Sequence, residues 1–439
     1  MVYRLSKYNY FIEYENKVIC YNGLNDKLFV LNQREFNDFM QLFLKLLDFK
    51  KKYPSLFNKL RKWGFIVRND SDETNDYLEK YKETIYNPKV YSVTINPTLK
   101  CNLGCWYCSV GLANAQIKYN KMSAETLGRI KKHFKNVIEY NAYSLVHIDW
   151  FGGEPLLYYD EIIKPIASYV YELTLKHSIS FTQFVTTNAF LINKSMLNEF
   201  KKFNLQYFQI TIDGNEKKHN KVRNEEGKPT YKKIIQNIVD ISNIIPNVKI
   251  YLRINYDKKT LLKISDILED LQNSKKDRIT IDFQKVWQVP AIESSILKEA
   301  IMLFKKDGFK VRLYAFRPFQ YFSCQFDKKN HIVINYDGTI HKCTARDYSD
   351  KSKVGDISSS GEIVFNDKIN AYYNKLPIEN EFCKECKHLP ICCGPCTQKM
   401  YEKRQWKSDF NKICLVKNSP IKPDTFIIEK ARDLGYLSV

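Results

Sequence analysis

Three cysteines in the spacing CxxxCxxC are the residues of this chain with the clearest potential for chemistry. Cys101, Cys105 and Cys108 follow the run Val90 to Ile95. This run is β-branched and aromatic and ends in Asn96-Pro97, a pattern typical of a buried strand. The cysteines therefore lie on the loop that leaves a strand. Three thiolates there can hold three irons of a 4Fe–4S cube, and the fourth iron stays open to a substrate or cofactor.

Two other roles are compatible with the same cysteines. A zinc ion needs four ligands, and no other Cys or His occurs between Cys108 and His133. Free cysteines are also often small buried hydrophobes in a core. The regular spacing favours a metal role over buried core thiols, while a zinc site remains open at this point.

Composition and charge restrict the class of protein. The chain has 439 residues, enough for two or three domains, and a net charge of 69 − 49 = +20. It has no apolar run long enough to span a membrane, and its first residues lack the apolar segment of a signal peptide. We therefore predict a cytoplasmic protein with no membrane partner. Thiols are kept reduced there, so twelve cysteines favour metal clusters over disulfides.

The basic charge points to a polyanionic partner, with nucleic acid as the first class to consider. The lysines, however, are scattered as pairs along predicted helices and form no long block. This pattern is typical of solvated helix faces and argues against nucleic acid. An acidic peptide is equally compatible with the charge.

Residues 1–88 are predicted to form a separate small domain. Three short strands, Tyr8 to Tyr14, Lys17 to Tyr21 and Lys27 to Asn32, precede a helix from Gln33 to Asp48 that Asn32 can cap. Further elements follow, namely a helix from Ser55 to Trp63, a short strand at 65–67 and a polar helix from Asp72. Three strands followed by three helices indicate a winged-helix-like unit. The alternative to a winged-helix-like unit is a plain N-terminal cap on the next domain. Cys20, alone in its strand, is predicted to be a core residue.

From Lys89 onward, strands and amphipathic helices alternate. Candidate strands lie at 90–95, 145–151, 181–187, 205–212, 249–256 and 279–286. Candidate helices lie between and after them, at 123–140, 160–177, 193–203, 230–245, 260–272 and 294–307. The alternation predicts an α/β fold with a parallel sheet, either a doubly wound sheet or a partial barrel. In both folds the chemistry belongs at the carboxyl ends of the strands.

Those strand ends carry further polar and glycine residues. The second strand is followed by Gly152-Gly153-Glu154-Pro155, where glycines allow close backbone approach and the carboxylate could meet an ammonium group. The third strand ends at Asn188, and the fourth contains Thr211 and ends in Asp213-Gly214. Each of these short sequences is, by itself, common in ordinary turns. Their recurrence at successive strand ends beside the cysteine loop indicates a functional role.

The last 120 residues are rich in cysteine. Eight of the twelve cysteines fall in this region: Cys324, Cys343, Cys383, Cys386, Cys392, Cys393, Cys396 and Cys414. Eight ligands would saturate two 4Fe–4S clusters, and seven would leave one cluster a ligand short. Two or more zinc sites are the competing interpretation, since Cys-x2-Cys pairs serve both metals.

Together these motifs resemble the radical S-adenosylmethionine (radical SAM) enzymes with a C-terminal SPASM domain. The CxxxCxxC loop and the GGEP sequence at 152–155 match the first family. The array Cys324-x13-Gly338-x4-Cys343 and Cys383-x2-Cys386-x5-Cys392-x3-Cys396, with Cys414 beyond it, matches the SPASM pattern in every spacing. The resemblance covers residues 89 to about 416. It implies a partial (β/α)6 barrel over 89–316 and a SPASM domain over 317–439.

The resemblance also implies a cofactor site. SAM would chelate the open iron through its methionine amino and carboxylate groups. Gly152, Gly153, Glu154 and Pro155 would hold the SAM ammonium, and Tyr107 would pack at the adenine. Asn188 and Thr211 would line the methionine or ribose side, with Arg223 as a partner for the carboxylate. An external low-potential electron donor would drive cleavage of SAM to methionine and a 5′-deoxyadenosyl radical, which takes a hydrogen atom from the substrate.

For the auxiliary clusters, the resemblance assigns Cys324, Cys343 and Cys396 to the first. It assigns Cys383, Cys386, Cys392 and Cys414 to the second. Some family members supply an eighth cysteine between the first two positions, but none occurs from Gln325 to Lys342. The first cluster would therefore have an open iron or use Asp327, His331, Cys393 or the substrate.

Two enzyme classes within the family are candidates, the sulfatase maturases and the peptide maturases. Sulfatase maturases carry an aspartate after the Gly-x4-Cys cysteine, whereas Thr344 follows Cys343 here. Peptide maturases often begin with a winged-helix domain that binds a precursor's leader as an added strand. We therefore predict a peptide maturase, with a sulfatase maturase, or a non-catalytic metal- or nucleic-acid-binding module, as alternatives. No catalytic residue stands out; Asp213, Tyr314 and Phe316 are weak candidates.

Overall fold

The computed structural model describes residues 2–108, 110, 121–286, 288–289, 293–312, 316, 324–345, 348–373, 376–402 and 410–438. The chain forms two compact units. One, here called the terminal unit, comprises Met1–Ile85, Leu313–Asp327 and Asn374–Val439. The other, the sheet unit, comprises Tyr86–Arg312 and Lys328–Tyr373. The three functional domains with bounds 1–88, 89–316 and 317–439 stay a prediction.

The N-terminal part of the terminal unit consists of five strands and four helices. The strands are β1 (Tyr3–Leu5), β2 (Asn9–Tyr14), β3 (Lys17–Asn22), β4 (Lys27–Asn32) and β5 (Ile66–Arg68). The helices are α1 (Gln33–Leu44), α2 (Leu46–Lys52), α3 (Pro54–Lys62) and α4 (Glu73–Ile85). Strands β2, β3 and β4 form an antiparallel sheet, and β1 pairs with β5. Strand β1 was not predicted from the sequence.

The predicted single helix from Gln33 to Asp48 is wrong, because the chain leaves the helical conformation at Lys45 (φ −132°, ψ 64°). On one straight helix, residues six apart point about 120° apart around the axis. Phe43 and Phe49 could then not face the same core. The break brings their ring centroids to 6.1 Å within one aromatic cluster, which also contains Cys20.

The sheet unit is built on an eleven-stranded sheet. Its parallel strands are β6 (Val90–Ile95), β7 (Leu145–Trp150), β8 (Ser180–Thr187), β9 (Leu205–Ile212), β10 (Lys249–Tyr256), β11 (Ile279–Lys285), β12 (Lys310–Arg312) and β13 (His331–Ile334). The antiparallel extension is β14 (Thr339–His341), β15 (Gly355–Ile357) and β16 (Ile363–Phe365). The six predicted strands are confirmed to within one residue at each end.

The described α-helices of the sheet unit are α5 (Ala124–Tyr140), α6 (Lys164–Lys176), α7 (Lys194–Lys202), α8 (Glu216–Val222), α9 (Tyr231–Ile244), α10 (Lys258–Leu261), α11 (Ile264–Asp270), α12 (Ser294–Lys306) and α13 (Lys368–Tyr373). Helices α8 and α13 were not predicted, whereas the others lie within the six predicted ranges or extend beyond them by at most two residues. The helix predicted at 260–272 is divided into α10 and α11. No helix in the described ranges combines the length and the apolar character needed to cross a bilayer.

Strand order distinguishes the two folds that the sequence left open. Strands β6 to β12 are neighbours in sequence order, with β13 on the other side of β6. A doubly wound sheet requires a reversal of strand order at its centre. The order here instead follows the winding of a barrel. Within the described residues no pairing joins β12 to β16, so the barrel is partial.

The two faces of the sheet differ in polarity. On β7, Val146, Ile148 and Trp150 are buried, whereas His147 and Asp149 between them are only half buried. Alternate residues of a strand point to opposite faces. One face therefore packs against the helices, and the other lines the interior of the partial barrel.

The C-terminal part of the terminal unit contains short helices around the cysteines. They are α14 (Glu381–Lys384), α15 (Leu389–Cys392), α16 (Thr397–Glu402), α17 (Phe410–Ile413), α18 (Leu415–Asn418) and α19 (Pro423–Asp433). Tyr77, Tyr81 and Ile85 of α4 belong to the same hydrophobic cluster as Cys383 and Cys393. Chain segments that are far apart in sequence thus share one core.

Candidate cluster and cofactor site

The CxxxCxxC loop follows β6 at the carboxyl edge of the parallel sheet, as predicted. The Cys101 sulfur accepts the backbone N–H of Leu103 at 3.4 Å. Burial raises the pKa of the Cys101 thiol to about 12, and Cys105 and Cys108 act in the same direction. Three neighbouring thiolates at such a place require positive charge to compensate them. The donor set therefore fits an iron–sulfur cluster.

Contacts from the end of β8 and from the turn after α8 hold this loop. The Asn188 side-chain amide donates to the side-chain oxygen of Asn102 at 2.9 Å and lies 3.9 Å from the Cys101 sulfur. Asn102 in turn donates to the Glu225 carboxylate at 3.0 Å. The backbone N–H of Gly104 donates to the carbonyl of Asn224 at 3.2 Å. Asn188 thus lies at the loop, as predicted. Glu225 was not predicted, because it lies in the turn after α8 and not at the end of a strand.

Gly152 and Gly153 lie against the chain that enters the cysteine loop. Gly152 has φ +114°, and a Cβ on Gly153 would lie 2.2 Å from the carbonyl oxygen of Lys100. The N–H groups of Gly153 and Glu154 donate to the carbonyls of Thr98 and Lys100 at 3.0 and 2.9 Å. The close approach that these glycines permit is therefore made to the backbone of residues 98–100.

Glu154 is completely buried between the second and third strand ends. Its carboxylate accepts the N–H groups of Leu156 and Asn188 at 3.0 and 2.7 Å and the Thr187 hydroxyl at 2.8 Å. Burial raises its pKa to about 7, although these hydrogen bonds oppose the rise. A positive group beside it would favour the charged form. Pro155 begins a short 3-10 turn that Glu154 caps.

Tyr107, inside the cysteine motif, lies in a polar network. Its hydroxyl donates to Asp213 at 2.5 Å and accepts from Arg223 and Asn255 at 3.0 and 2.8 Å. Arg223 also donates to the Asp213 carboxylate, with which it forms a buried ion pair. The Asp213 charge raises the pKa of Arg223 against the opposing effect of burial. This network joins the cysteine loop to the ends of β9 and β10.

The contacts in this network bear on the predicted role of Asp213. Asp213 serves as the partner of Arg223 and Tyr107, an arrangement that favours a structural role over that of an acid or base. Thr211 lies near the end of β9, two residues before Asp213, which directly follows the strand. Asn255 was missed, although it lies at the end of β10, where the strand-end argument could have found it.

A second group of thiols lies in the terminal unit. The Cys383 pKa is raised to about 12 by burial, and Cys386 and Cys414 contribute to the rise. Burial also raises the pKa of Cys392, with contributions from Cys383 and Cys414, and that of Cys386, where Lys387 and Lys7 oppose the rise. These four thiols are close enough to influence one another. They are the four that the resemblance assigns to the second auxiliary cluster.

The three cysteines assigned to the first auxiliary cluster are divided between the units. Cys343 lies in the sheet unit, whereas Cys324 and Cys396 lie in the terminal unit. The Cys324 and Cys396 residues are exposed. Their joint role as ligands stays a prediction.

Three side chains are candidates for the further ligand of the first auxiliary cluster, namely Asp327, Cys393 and His331. Both oxygens of the buried Asp327 carboxylate accept hydrogen bonds, from Tyr81 at 2.9 Å and from Thr397 at 2.6 Å. The Cys393 sulfur lies 3.7 Å from the carbonyl of Pro390. His331, in the sheet unit, shares a hydrogen bond of 3.0 Å with Thr94 through Nε2, and its buried Nδ1 has no hydrogen-bond partner.

Tyr314 and Phe316 were the other two weak candidates for a catalytic residue. Tyr314 lies outside the described residues. Phe316 is buried in the terminal unit, with its ring centroid 6.2 Å from that of Phe426. In the described part of the chain, no three His, Cys, Asp or Glu side chains are grouped so as to hold a single metal ion.

Comparison with known families gives two matches. The Radical SAM superfamily matches residues 95–264, and the SPASM iron–sulfur cluster-binding domain matches residues 324–387. The first match runs from the last residue of β6 to the first residue of α11 and includes the CxxxCxxC loop and the Gly-Gly-Glu-Pro sequence. The second begins at the first cysteine of the C-terminal array.

Solved structures of similar fold cover most of the chain. Streptococcus suis SuiB bound to the precursor peptide SuiA is 18% identical, with 92% of this chain and 97% of that chain covered and a TM-score of 0.52. Native anSMEcpe with bound AdoMet and Cp18Cys peptide is 17% identical, with 79% and 99% covered and a TM-score of 0.53. At these identities the likeness concerns the fold alone.

Among characterised sequences, the chain is similar to an Fe-coproporphyrin III synthase of Methanosarcina barkeri. The two are 24% identical over 187 residues. This alignment spans 43% of the present chain and 42% of the relative's length. The similarity therefore covers less than half of either protein.

Proposed function

Because the chain belongs to the radical SAM superfamily and carries a SPASM iron–sulfur domain, we propose that it modifies a ribosomally made precursor peptide. Members of this superfamily are enzymes, and its cofactors are 4Fe–4S clusters and SAM. The proposal specifies one cluster held by Cys101, Cys105 and Cys108, and two auxiliary clusters. The observation that carries the peptide assignment is an apolar groove in the terminal unit.

When bound, the first cluster and SAM supply a one-electron reductive cleavage and the hydrogen-atom abstraction that follows it. Residues of the chain orient these groups. Glu154, buried and acidic, would accept a hydrogen bond from the amino group of SAM. Arg223, Asp213 and Tyr107 hold the cysteine loop against the sheet, and an external low-potential donor provides the electron.

The groove has a volume of about 600 Å³ and lies between β4 and the helices α1 and α3. Phe29, Leu31, Leu42, Leu56 and Trp63 are among its lining residues. Apolar grooves of this size accept the anchoring side chains of a peptide. Leu56 is 40% exposed, so it is available for such contact.

Strand β4 offers backbone hydrogen bonds beside this groove. It lies at the edge of the described three-stranded sheet, in the order β2-β3-β4. An extended peptide can add to such an edge, with backbone bonds for affinity and side-chain pockets for specificity. The groove and the edge together fit an extended leader segment.

The groove lining carries charges of both signs, Glu35 and Asp38 from α1 and Lys59 from α3. The ends of α2 and α3 are basic, with Lys50, Lys51 and Lys52 on α2 and Lys59, Arg61 and Lys62 on α3, and these residues favour an acidic leader. Basic side chains increase the rate of association with an acidic partner. Likeness in fold to SuiB, a structure with a bound precursor peptide, supports the same assignment.

The substitution Leu56→Glu tests the leader site. It places a charge in the apolar groove, and we expect at least a tenfold loss of affinity for a fluorescent precursor peptide encoded beside the gene. Leu47→Glu is the matched control, because Leu47 is 55% exposed and does not line the groove. Equal affinities of the two variants would refute the leader site. Mass spectrometry of the peptide after reaction with SAM tests the activity.

A sulfatase maturase is the second candidate function. Likeness in fold to anSMEcpe, a structure with a bound peptide, favours it. The threonine at position 344, where these maturases carry an aspartate, argues against it. Conversion of a Cys or Ser to an aldehyde in a sulfatase peptide would decide for this alternative.

A further inference from the structure

The first residues of the chain make direct polar contacts with the backbone of the cysteine-rich segment. The Lys7 ammonium donates to the carbonyl oxygen of Lys384 at 3.1 Å, and the Thr74 hydroxyl donates to the same oxygen at 3.3 Å. Lys384 lies between Cys383 and Cys386. Two donors from the N-terminal segment therefore hold the turn that joins these cysteines.

Tyr10 makes a similar contact one turn further along. Its hydroxyl donates to the carbonyl oxygen of Lys387 at 3.0 Å and lies 3.0 Å from Nδ1 of His388. Tyr10 is 2% exposed, and its ring packs at 5.6 Å from the His388 ring. Lys387 and His388 lie between Cys386 and Cys392. The N-terminal segment thus contacts both intervals between three successive cysteines.

Apolar packing supports the same segment. Tyr77 and Tyr81 of α4 lie in one buried cluster with Cys383, Leu389 and Cys393. Burial of apolar surface from both segments stabilises this contact. The cysteine segment has little regular structure of its own, since α14 and α15 have four residues each. Its shape therefore depends on the surface that covers it.

We propose that residues 1–85 form part of the protein shell of the second auxiliary cluster, in which Lys7, Tyr10 and Thr74 position the Cys383–Cys392 backbone. The inference rests on the ligand set Cys383, Cys386, Cys392 and Cys414 of the proposed function. It does not depend on the leader site. The N-terminal segment then has two roles, one in binding peptide and one in maintaining a redox centre.

Two physical effects follow from these contacts. Without these donors the turns between the cysteines lose the hydrogen bonds that hold them, so the loop relaxes and its thiolates lose their arrangement. The Lys7 ammonium also places a positive charge beside this segment, because its Nζ lies 3.1 Å from the Lys384 carbonyl oxygen, between Cys383 and Cys386. A positive charge near an anionic cluster stabilises its reduced form and raises its reduction potential.

The substitution Tyr10→Phe tests the positioning role. It is made in the full chain with Cys101, Cys105 and Cys108 replaced by Ala, so that the remaining iron belongs to the auxiliary clusters. We expect iron loss to a chelator to become several-fold faster. Tyr21→Phe is the matched control, because Tyr21 pairs with Tyr10 across the β2–β3 ladder but donates to Asp26 instead. Equal rates for the two variants would overturn the proposal.

The substitution Lys7→Met tests the electrostatic role. We expect the reduction potential of one auxiliary cluster, measured by redox titration with electron paramagnetic resonance, to become more negative. Lys17→Met is the control, because Lys17 donates to the carbonyl of Tyr436, outside the cysteine segment. Identical potentials in both variants would refute this role. Leader binding, tested separately through Leu56→Glu, stays interpretable whichever result is obtained.

Discussion

Glu154 combines complete burial with a carboxylate that accepts three hydrogen bonds. Because its pKa is raised to about 7, a large fraction is protonated near neutral pH when no cation lies beside it. The ionised form is the one that binds an ammonium group. The proposed role in SAM binding therefore has a pH dependence.

We predict that SAM affinity of the reconstituted protein is constant above pH 7 and falls as the pH decreases through 7, approaching tenfold per pH unit below about pH 6. Isothermal titration under anaerobic conditions measures it. The control Glu154→Gln binds about tenfold more weakly or worse and shows no such dependence, since a charged hydrogen bond contributes about 1.5–3 kcal/mol. Constant wild-type affinity between about pH 6 and pH 8 would contradict the assignment.

Asp327 was a candidate ligand of the first auxiliary cluster, but its two oxygens bind Tyr81 and Thr397. The loop that contains Cys324 is thereby linked to Thr397, the residue after Cys396. The geometry favours a positioning role for this carboxylate over a ligand role.

For Asp327→Asn we therefore predict unchanged iron content and a free energy of unfolding lower by about 1–3 kcal/mol, the cost of a disturbed buried hydrogen bond. Iron analysis and chemical denaturation measure these quantities. Cys324→Ser provides the comparison, because a lost ligand reduces the iron content. Loss of about four irons in the Asn variant would identify Asp327 as a ligand.

At the scale of elements, the loop after β7 and the loop after β6 form one structure. Gly152 and Gly153 allow the two backbones to approach, and the hydrogen bonds to Thr98 and Lys100 join them. From the sequence, these glycines were predicted to let the backbone approach a bound ligand closely. The structure adds a second requirement, because a side chain on either residue would collide with the backbone before the cluster cysteines.

We predict that Gly153→Ala displaces the cysteine loop and loses the iron bound there, because its Cβ would lie 2.2 Å from the Lys100 oxygen. Gly128→Ala is the control, since nothing lies within 4 Å of a Cβ at this helical position. That change should stabilise the protein by about 0.5–1 kcal/mol. Iron content and thermal unfolding measure both. Normal iron in Gly153→Ala would show that the loop can adjust.

The βα elements could be predicted closely because their signals are local. Apolar periodicity and turn residues mark each strand of the barrel, for example Leu205–Ile212. The break at Lys45 could not be predicted, since it depends on where Phe43 and Phe49 pack in a core formed by other elements. Strands β1 and β12 are three residues long, too short for a periodic signal.

At the scale of the whole molecule, residues 1–85 and the cysteine-rich C-terminal segment belong to one compact unit. Residues of α4 therefore share a hydrophobic core with the C-terminal segment. The Lys430–Asp26 ion pair at 2.9 Å and the Lys17 contact with Tyr436 join the same two segments.

We predict that deletion of residues 1–88 destabilises the C-terminal cysteine segment and removes iron from the auxiliary clusters. It deletes Tyr77, Tyr81 and Ile85 from a core shared with Cys383. Solubility, iron content and limited proteolysis measure the effect. A soluble deletion variant with full auxiliary iron would contradict the shared core. Point substitutions in the groove are therefore the cleaner test of leader binding.

The cysteine motifs, the order of the barrel strands along the chain and the polar residues at their carboxyl ends could all be predicted from the amino-acid sequence. These features depend on spacing and periodicity over a few residues, which any single chain displays. The choice between a barrel and a doubly wound sheet depended on strand pairing, and the contact of Tyr10 with the carbonyl of Lys387 depended on packing between distant segments. Contacts between residues hundreds of positions apart arise from the packing of whole elements, and no local pattern records them.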